Sequence, residues 1–391
     1  MKNPSLICLS MTPWKGDYLK STVELMKELT SEADIIFVDY QFTWKDIFVG
    51  ILKPQSQIPW KQILGLKKRI TIESNVTIYT PPPIFPSFWI KNEKLFDFIN
   101  QINQKIVLKS IYSFVKKKDI TITSILTAFN PFLGLGVSEI FPNTPHYYYC
   151  YDEINEAHWL KTHGGRLEKL LMPQVNGCIF TSEKLKEIKG HYSKNSFIVK
   201  NGVNTTIFKP YAKHAPSNNS IIKIGYLGSI DDRLDTELII KSAEICPNVQ
   251  FHFVGRVVHE NTKNNLNHSS IFFEKAVPIE DVPKKMREFD IGIIPYLKNK
   301  FTQAIYPLKI NEYLAIGLPV IMTSFAKLDE FSSMVIIADS ADSFKKSVDN
   351  IILTDNKNLI RERTTFAENN SWKNRSKLLY QILFSNLNDD K

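Results

Sequence analysis

The chain has 391 residues, enough for two ordinary domains with separate cores. Hydrophobic residues make up 43% and charged residues 23%, which excludes a disordered chain. The formal net charge is +9, but no RNP, zinc-finger or KH-type pattern accompanies the basic excess, so nucleic acid is not an expected partner.

Elements read in chain order alternate between short apolar strands and helical patterns. Residues 6–9 predict a strand, 18–29 a helix and 35–38 a strand. Residues 42–86 are looser, with Pro54, Pro59 and the run Pro81, Pro82, Pro83, and read as an insertion at the edge of a first domain. The stretch from Lys91 to Lys118 is basic and interleaved with apolar residues. It fits a helix with a core stripe and a solvated lysine face, and it also suits an anionic membrane surface. Strands are predicted at 120–126, 147–151, 178–180 and 197–199. Short apolar strands separated by helices imply parallel strands covered on both faces.

Residues 209–220 are polar, aperiodic and hold two prolines, and they are the expected linker between a first domain at 1–208 and a second at 221–371. The alternation then restarts. Strands are predicted at 221–227, 249–254, 271–273, 291–295 and 318–322, and helices at 235–245, 282–289 and 308–316. Gly317 is a normal helix stop. Two doubly wound domains bind ligands outside the carboxyl ends of their strands.

No apolar run is long enough to span a membrane, and the N-terminal strand is too short for a signal-peptide core. A cytoplasmic location is expected. Cys8, Cys150, Cys178 and Cys246 lack C-x-x-C spacing and are expected as buried thiols, without disulfides or metal.

Several residues suit a phosphorylated ligand. Gly228 closes the first strand of the second domain, and a glycine there lets backbone N–H groups approach a phosphate. Arg233 in the same loop suits diphosphate oxygens, although Asp231, Asp232 and Asp235 surround it and the loop also reads as a surface turn. Asp235 suits the N-cap of the next helix. Lys309 lies three residues before Glu312 on one helical face, which fits either a diphosphate contact or an ordinary surface pair. In the first domain, Asp152 and Glu153 follow a strand and suit hydroxyl binding or deprotonation, with Asp152 as a helix cap the bland alternative. His158 and His163 are weaker candidates.

Six stretches carry a resemblance: NGVNTTIFKP (201–210), IGYLGSIDDRLD (224–235), FHFVGRV (251–257), KAVPIEDVPKKMREFDIGIIPY (275–296), YPLKINEYLAIGLPVI (306–321) and NSWKNRSKLL (370–379). In this order they resemble GT-B glycosyltransferases, closest to the retaining family-four type of bacterial surface-polysaccharide synthesis. The resemblance implies two Rossmann-like domains facing across a cleft, with a last helix at 372–391 crossing back to the first. It implies a nucleotide diphosphate sugar as donor substrate, no cofactor, and a saccharide or lipid-linked acceptor, met by a peripheral enzyme at the inner membrane face. Glu312 would accept hydrogen bonds from the ribose hydroxyls, and backbone groups near Val277 would contact the base. Ala304 stands where the family often has a first glutamate, so Tyr306 or Thr302 would supply hydroxyls to the sugar. The loop of Trp14 and Gly16 would lie near phosphates and acceptor, with Trp14 stacking on a sugar or packing between domains. No D-x-D-like motif ends a strand, so no obligatory metal is expected. A nucleotide-sugar epimerase and a non-catalytic binding subunit are the alternatives.

Overall fold

The computed structural model describes residues 3–16, 19–53, 58–156 and 160–385. The chain divides into two compact units, Met1–Lys200 with Arg375–Lys391, and Asn201–Asn374.

In the first unit, β1 (Ser5–Ser10) is buried along its whole length, as a central strand covered on both faces must be. It is followed by β2 (Asp34–Val38), β3 (Ile70–Glu73), β4 (Val76–Tyr79), β5 (Ser124–Ala128), β6 (His146–Cys150), β7 (Gly177–Phe180) and β8 (Ser196–Ile198). The sheet order is β3-β4-β2-β1-β5-β6-β7-β8, parallel except for the β3–β4 hairpin. That hairpin turns through Ser74 and Asn75, both at positive φ, the geometry that matches strand twist. The stretch 42–86 is therefore more than an insertion, because β4 pairs with β2 inside the sheet. Its prolines hid a strand only four residues long.

The helix Glu93–Lys117 buries Val107, Leu108, Ile111 and Val115, a stripe at helical spacing, against Ile7, Leu9 and Ile36 of the sheet. Each such side chain contributes about 1.5–3 kcal/mol on burial. The lysines of the Lys91–Lys118 stretch thus flank a core helix.

In the second unit, β9 (Ile222–Leu227), β10 (Val249–Val254), β11 (Ile271–Glu274), β12 (Ile291–Ile294), β13 (Val320–Met322) and β14 (Val335–Ile337) form a sheet ordered β11-β10-β9-β12-β13-β14. All pairs are parallel. In chain order this is third, second, first, fourth, fifth, sixth, the dinucleotide-binding topology. The order reverses between β9 and β12, which marks the ligand crevice at their carboxyl ends.

The helix Leu308–Ile316 backs this point. Tyr313 lies over Gly292 of β12, where an added Cβ would sit 2.6 Å from its ring. The Tyr313 hydroxyl donates to the Gly225 carbonyl at 3.2 Å and accepts the Leu227 N–H at 3.1 Å, so the helix is fixed to β9. Gly317 ends the helix in the left-handed conformation, as expected.

The expected linker lies inside the second unit. The Lys213 backbone N–H donates to Ile316 at 2.8 Å, and its ammonium donates to the Phe289 carbonyl. Polar composition concealed these backbone attachments. The last helix, Trp372–Leu383, starts in the second unit and ends in the first. Trp372 is fully buried at its start, with its backbone N–H donating to the Val203 carbonyl at 3.1 Å.

Candidate active site

The carboxyl ends of β9 and β10 meet through two glycines. A Cβ on Gly255 would lie 1.8 Å from the Gly228 carbonyl oxygen, so any other residue there would force the strand ends apart. Over Gly228 lies the Lys309 side chain. A Cβ on Gly228 would sit 2.5 Å from its Cε and 2.9 Å from its Nζ. The fold thus joins two residues 81 positions apart that the sequence marked separately for phosphate. Among the described residues no carboxylate pairs with the Lys309 ammonium.

Glu312 is one turn along the same helix and is buried. No hydrogen-bond donor among the described residues reaches its carboxylate. Burial pushes its pKa above the ordinary carboxylate range, and the Lys309 charge offsets part of the rise. A buried carboxylate with open acceptor positions beside a cation is a site prepared for a donor-rich ligand. We expect Lys309→Ala to weaken nucleoside diphosphate binding about tenfold, with little effect on the plain nucleoside. Titration calorimetry on both ligands checks this, and equal losses for the two would sink the phosphate role.

Arg233 is committed to a neighbour. Its guanidinium makes a bidentate pair with Asp231, at 2.8 and 2.6 Å, and lies 5.3 Å from the Tyr296 ring centroid. Burial works against its charge, but Tyr296 and Asp231 outweigh it and raise its pKa. The pair cancels locally, so Arg233 shapes the loop instead of offering an unmatched cation. Asp235 caps the next helix by accepting the Leu238 N–H at 2.9 Å.

Val277 lies half-buried in the loop after β11 and packs on the core. Tyr306 is displaced from the role expected of it. Its ring is in the core, 5.6 Å from Phe331, and its hydroxyl lies 3.4 Å from the Asn311 amide. Thr302 is fully buried and spends its hydroxyl on the Leu297 carbonyl at 2.5 Å.

Trp14 does not present its indole to a sugar. It is only 4% exposed, and its ring packs edge-on against Phe37 at 5.0 Å within the first unit. It has no open face for a sugar, and its packing partner is intradomain. Its backbone N–H donates to the Asp39 carboxylate at 2.8 Å. Gly16 has φ +156°, and an added Cβ would meet the Lys20 ammonium at 2.6 Å. That ammonium ties the loop together by donating to the Pro13 and Lys15 carbonyls at 2.6 and 2.5 Å.

Asp152 follows β6 and is half-buried, with one oxygen accepting the Glu153 N–H at 2.8 Å. Behind it lies a network that sequence reasoning missed. The buried Lys189 ammonium pairs with Glu168 at 2.7 Å and Glu153 at 3.2 Å. The Tyr148 hydroxyl donates to Glu168 at 2.8 Å. Glu153 is therefore a brace for this loop. His163 is structural, with Nε2 at 2.7 Å from the Ile90 carbonyl and its ring stacked on Phe96. His158 lies outside the described residues.

At the reversal of the first sheet, Asn130 donates to Gln41 at 2.8 Å, and Gln41 donates to the Ser10 carbonyl at 3.1 Å. Phe129, just beyond β5, adopts φ +52°, which is costly for a bulky residue. The only sequence signal for this was an aromatic at a strand end. Among the described residues no group of three metal-ligating side chains converges.

This architecture is GT-B, a fold of two doubly wound parallel units. Residues 222–353 match the family described as glycosyl transferases group 1, a stretch that contains Gly228, Lys309 and Glu312. A curated relative, TuaH of Bacillus subtilis, is named as a teichuronic acid biosynthesis glycosyltransferase. It is 31% identical over 134 residues, which covers 32% of this chain and 34% of the relative's length. The chain thus matches about a third of that relative. Solved structures share the fold at low identity. Sucrose-phosphate synthase from Thermosynechococcus elongatus gives a TM-score of 0.69 at 12% identity, covering 100% of both chains. The Anabaena HepE protein in complex with UDP gives 0.65 at 11%, covering 98% of this chain and 100% of that one. The trehalose 6-phosphate synthase of Burkholderia multivorans gives 0.68 at 8%, again over 100% of both.

Proposed function

We propose that the protein is a glycosyltransferase that moves a sugar from a nucleoside diphosphate sugar to a saccharide or lipid-linked acceptor in surface-polysaccharide or glycolipid synthesis. The observation that carries this reading is the Lys309–Glu312 helix beside Gly228 at the reversal of the second sheet. Glu312 has two oxygens for the vicinal hydroxyls of ribose. Lys309 and the backbone around Gly228 face the diphosphate, and the Val277 loop borders the base. The match to glycosyl transferases group 1 and the name of TuaH favour sugar transfer over epimerisation or simple binding. The UDP bound to HepE makes a uridine nucleotide the first donor to try.

In the proposed reaction the bond between the anomeric carbon and the diphosphate oxygen breaks, and its electron pair leaves with the diphosphate. Lys309 neutralises the charge that grows on that oxygen. The acceptor hydroxyl oxygen forms the new glycosidic bond, and its proton passes to a base, for which Asp152 is the candidate. Retention of configuration follows the family-four resemblance. Because Lys309 supplies the positive charge, transfer is expected to proceed without an added divalent cation.

A panel of nucleoside diphosphates and their sugars tests this reading, followed by donor consumption with and without acceptor. Saturable binding of one nucleotide and acceptor-dependent turnover are expected. Turnover without acceptor would point to an epimerase. Full activity restored only by metal after chelation would overturn the metal-free step.

A further inference from the structure

One face of the first unit turns large apolar side chains to solvent. The helix Trp44–Leu52 is capped by Thr43 and Asp46 and buries only Ile47 and Gly50 among its nine residues. Its outward face carries Trp44, Phe48, Ile51 and Leu52, at spacings of four, three and one. Phe48 is 64% exposed and Leu52 79%. A helix that turns its large apolar side chains to solvent has an unmet partner. The fold extends this surface. The Trp44 N–H bonds to the Ile84 carbonyl at 3.0 Å, which joins the helix start to the segment bearing exposed Phe85 and Trp89.

The charge around this face selects the partner. Lys45, Lys53, Lys61, Lys67 and Lys68 are all exposed, and among the described residues none is paired with an acid. Residues 44–69 contain one acid, Asp46, and it is held in the capping box. A second copy of the chain would bring like charges together across a self-complementary contact. An apolar face with an aromatic edge and a lysine rim suits the headgroup region of an anionic bilayer.

We infer that the Trp44–Leu52 helix and the Lys67–Lys68 turn form a docking surface for anionic lipid. This places membrane contact ahead of the Lys91–Lys118 stretch, whose helix spends its main apolar stripe on the core. The inference does not rest on the donor site. It supplies a surface at which a lipid-linked acceptor would be encountered.

Flotation with phosphatidylcholine vesicles, with and without phosphatidylglycerol, tests it on the full chain. The wild type is expected to float with the anionic vesicles only, and less so as salt is raised. Phe48→Glu with Leu52→Glu should reduce the bound fraction at least about tenfold. Lys67→Glu with Lys68→Glu should do likewise, and this pair lies outside the helix, so a folding defect in the first variant does not blunt the test. Melting curves check both variants. Absence of flotation, or flotation unchanged by both pairs, would overturn the inference. So would a wild-type dimer that the Phe48→Glu, Leu52→Glu variant dissociates without any vesicle binding.

Discussion

Glu312→Gln is expected to weaken binding of the matching nucleoside diphosphate about a hundredfold while stabilising the empty protein at neutral pH. The two effects have one cause. The carboxylate is buried without a hydrogen-bond donor, so burial raises its pKa and the folded state holds a proton more tightly than the unfolded chain. Folding stability therefore falls as pH rises from the ordinary carboxylate range through the folded value. Above that value the cost of the bare charge is complete. Glutamine removes the cost, so its stabilising effect should be present at neutral pH and gone near about pH 3, below the ordinary carboxylate value, where both states are protonated. Binding reverses the preference, because ribose hydroxyls satisfy the carboxylate and glutamine offers one acceptor oxygen in place of two. Thermal melts at both pH values, paired with calorimetric titration, read the two effects separately. A variant that melts lower at neutral pH yet binds normally would show Glu312 to be a structural group.

Lys189→Met is expected to cost about 3–5 kcal/mol, the scale for removing one partner of a buried ion pair. Burial alone would strip the Lys189 charge, but Glu168 and Glu153 hold its pKa above the ordinary value. The stability it contributes is fully present below the ordinary lysine value and is lost only as pH rises through the raised one. The penalty of the variant should thus be undiminished at neutral pH. It arises because Glu168, 2% exposed at its side chain, is left charged and unpaired. The compensated variant Lys189→Met with Glu168→Leu should recover part of the loss, since the most deeply buried carboxylate is removed and only Glu153, whose side chain is 12% exposed, loses its cation. Urea unfolding of the single and double variants decides it. A single variant within about 1 kcal/mol of wild type would mean that solvent reaches the network.

Much of the second unit was legible in the sequence because its signals are local. Its strands are short apolar runs, Gly228 and Gly255 stop two of them, and the cap at Asp235 and the stop at Gly317 follow from residue type. Lys309 and Glu312 share a helical face, so their proximity was written in their spacing. Their meeting with Gly228 needed the sheet. What escaped was set by tertiary contact. Arg233 and Asp231 are two residues apart, but only the loop conformation turns their forks together. Trp14 has the same indole whether it faces a sugar or Phe37. Lys189 and Glu168 lie 21 residues apart on different helices, with no periodicity to connect them. The prolines of 42–86 masked β4, and polar composition made 209–220 read as a linker although it lies inside the second unit.

The buried sulfurs have a practical consequence. Cys8, Cys150, Cys178 and Cys246 are all free and buried, and burial raises each thiol pKa, that of Cys178 to about 12. Thiolate is the reactive form, so at neutral pH the folded chain is nearly silent to alkylating reagents. Unfolding releases all four at once. One cysteine introduced on the outside would then be a single address for a spin label or fluorophore on an otherwise natural background. Placed at Phe48, such a probe would report its own immersion in lipid.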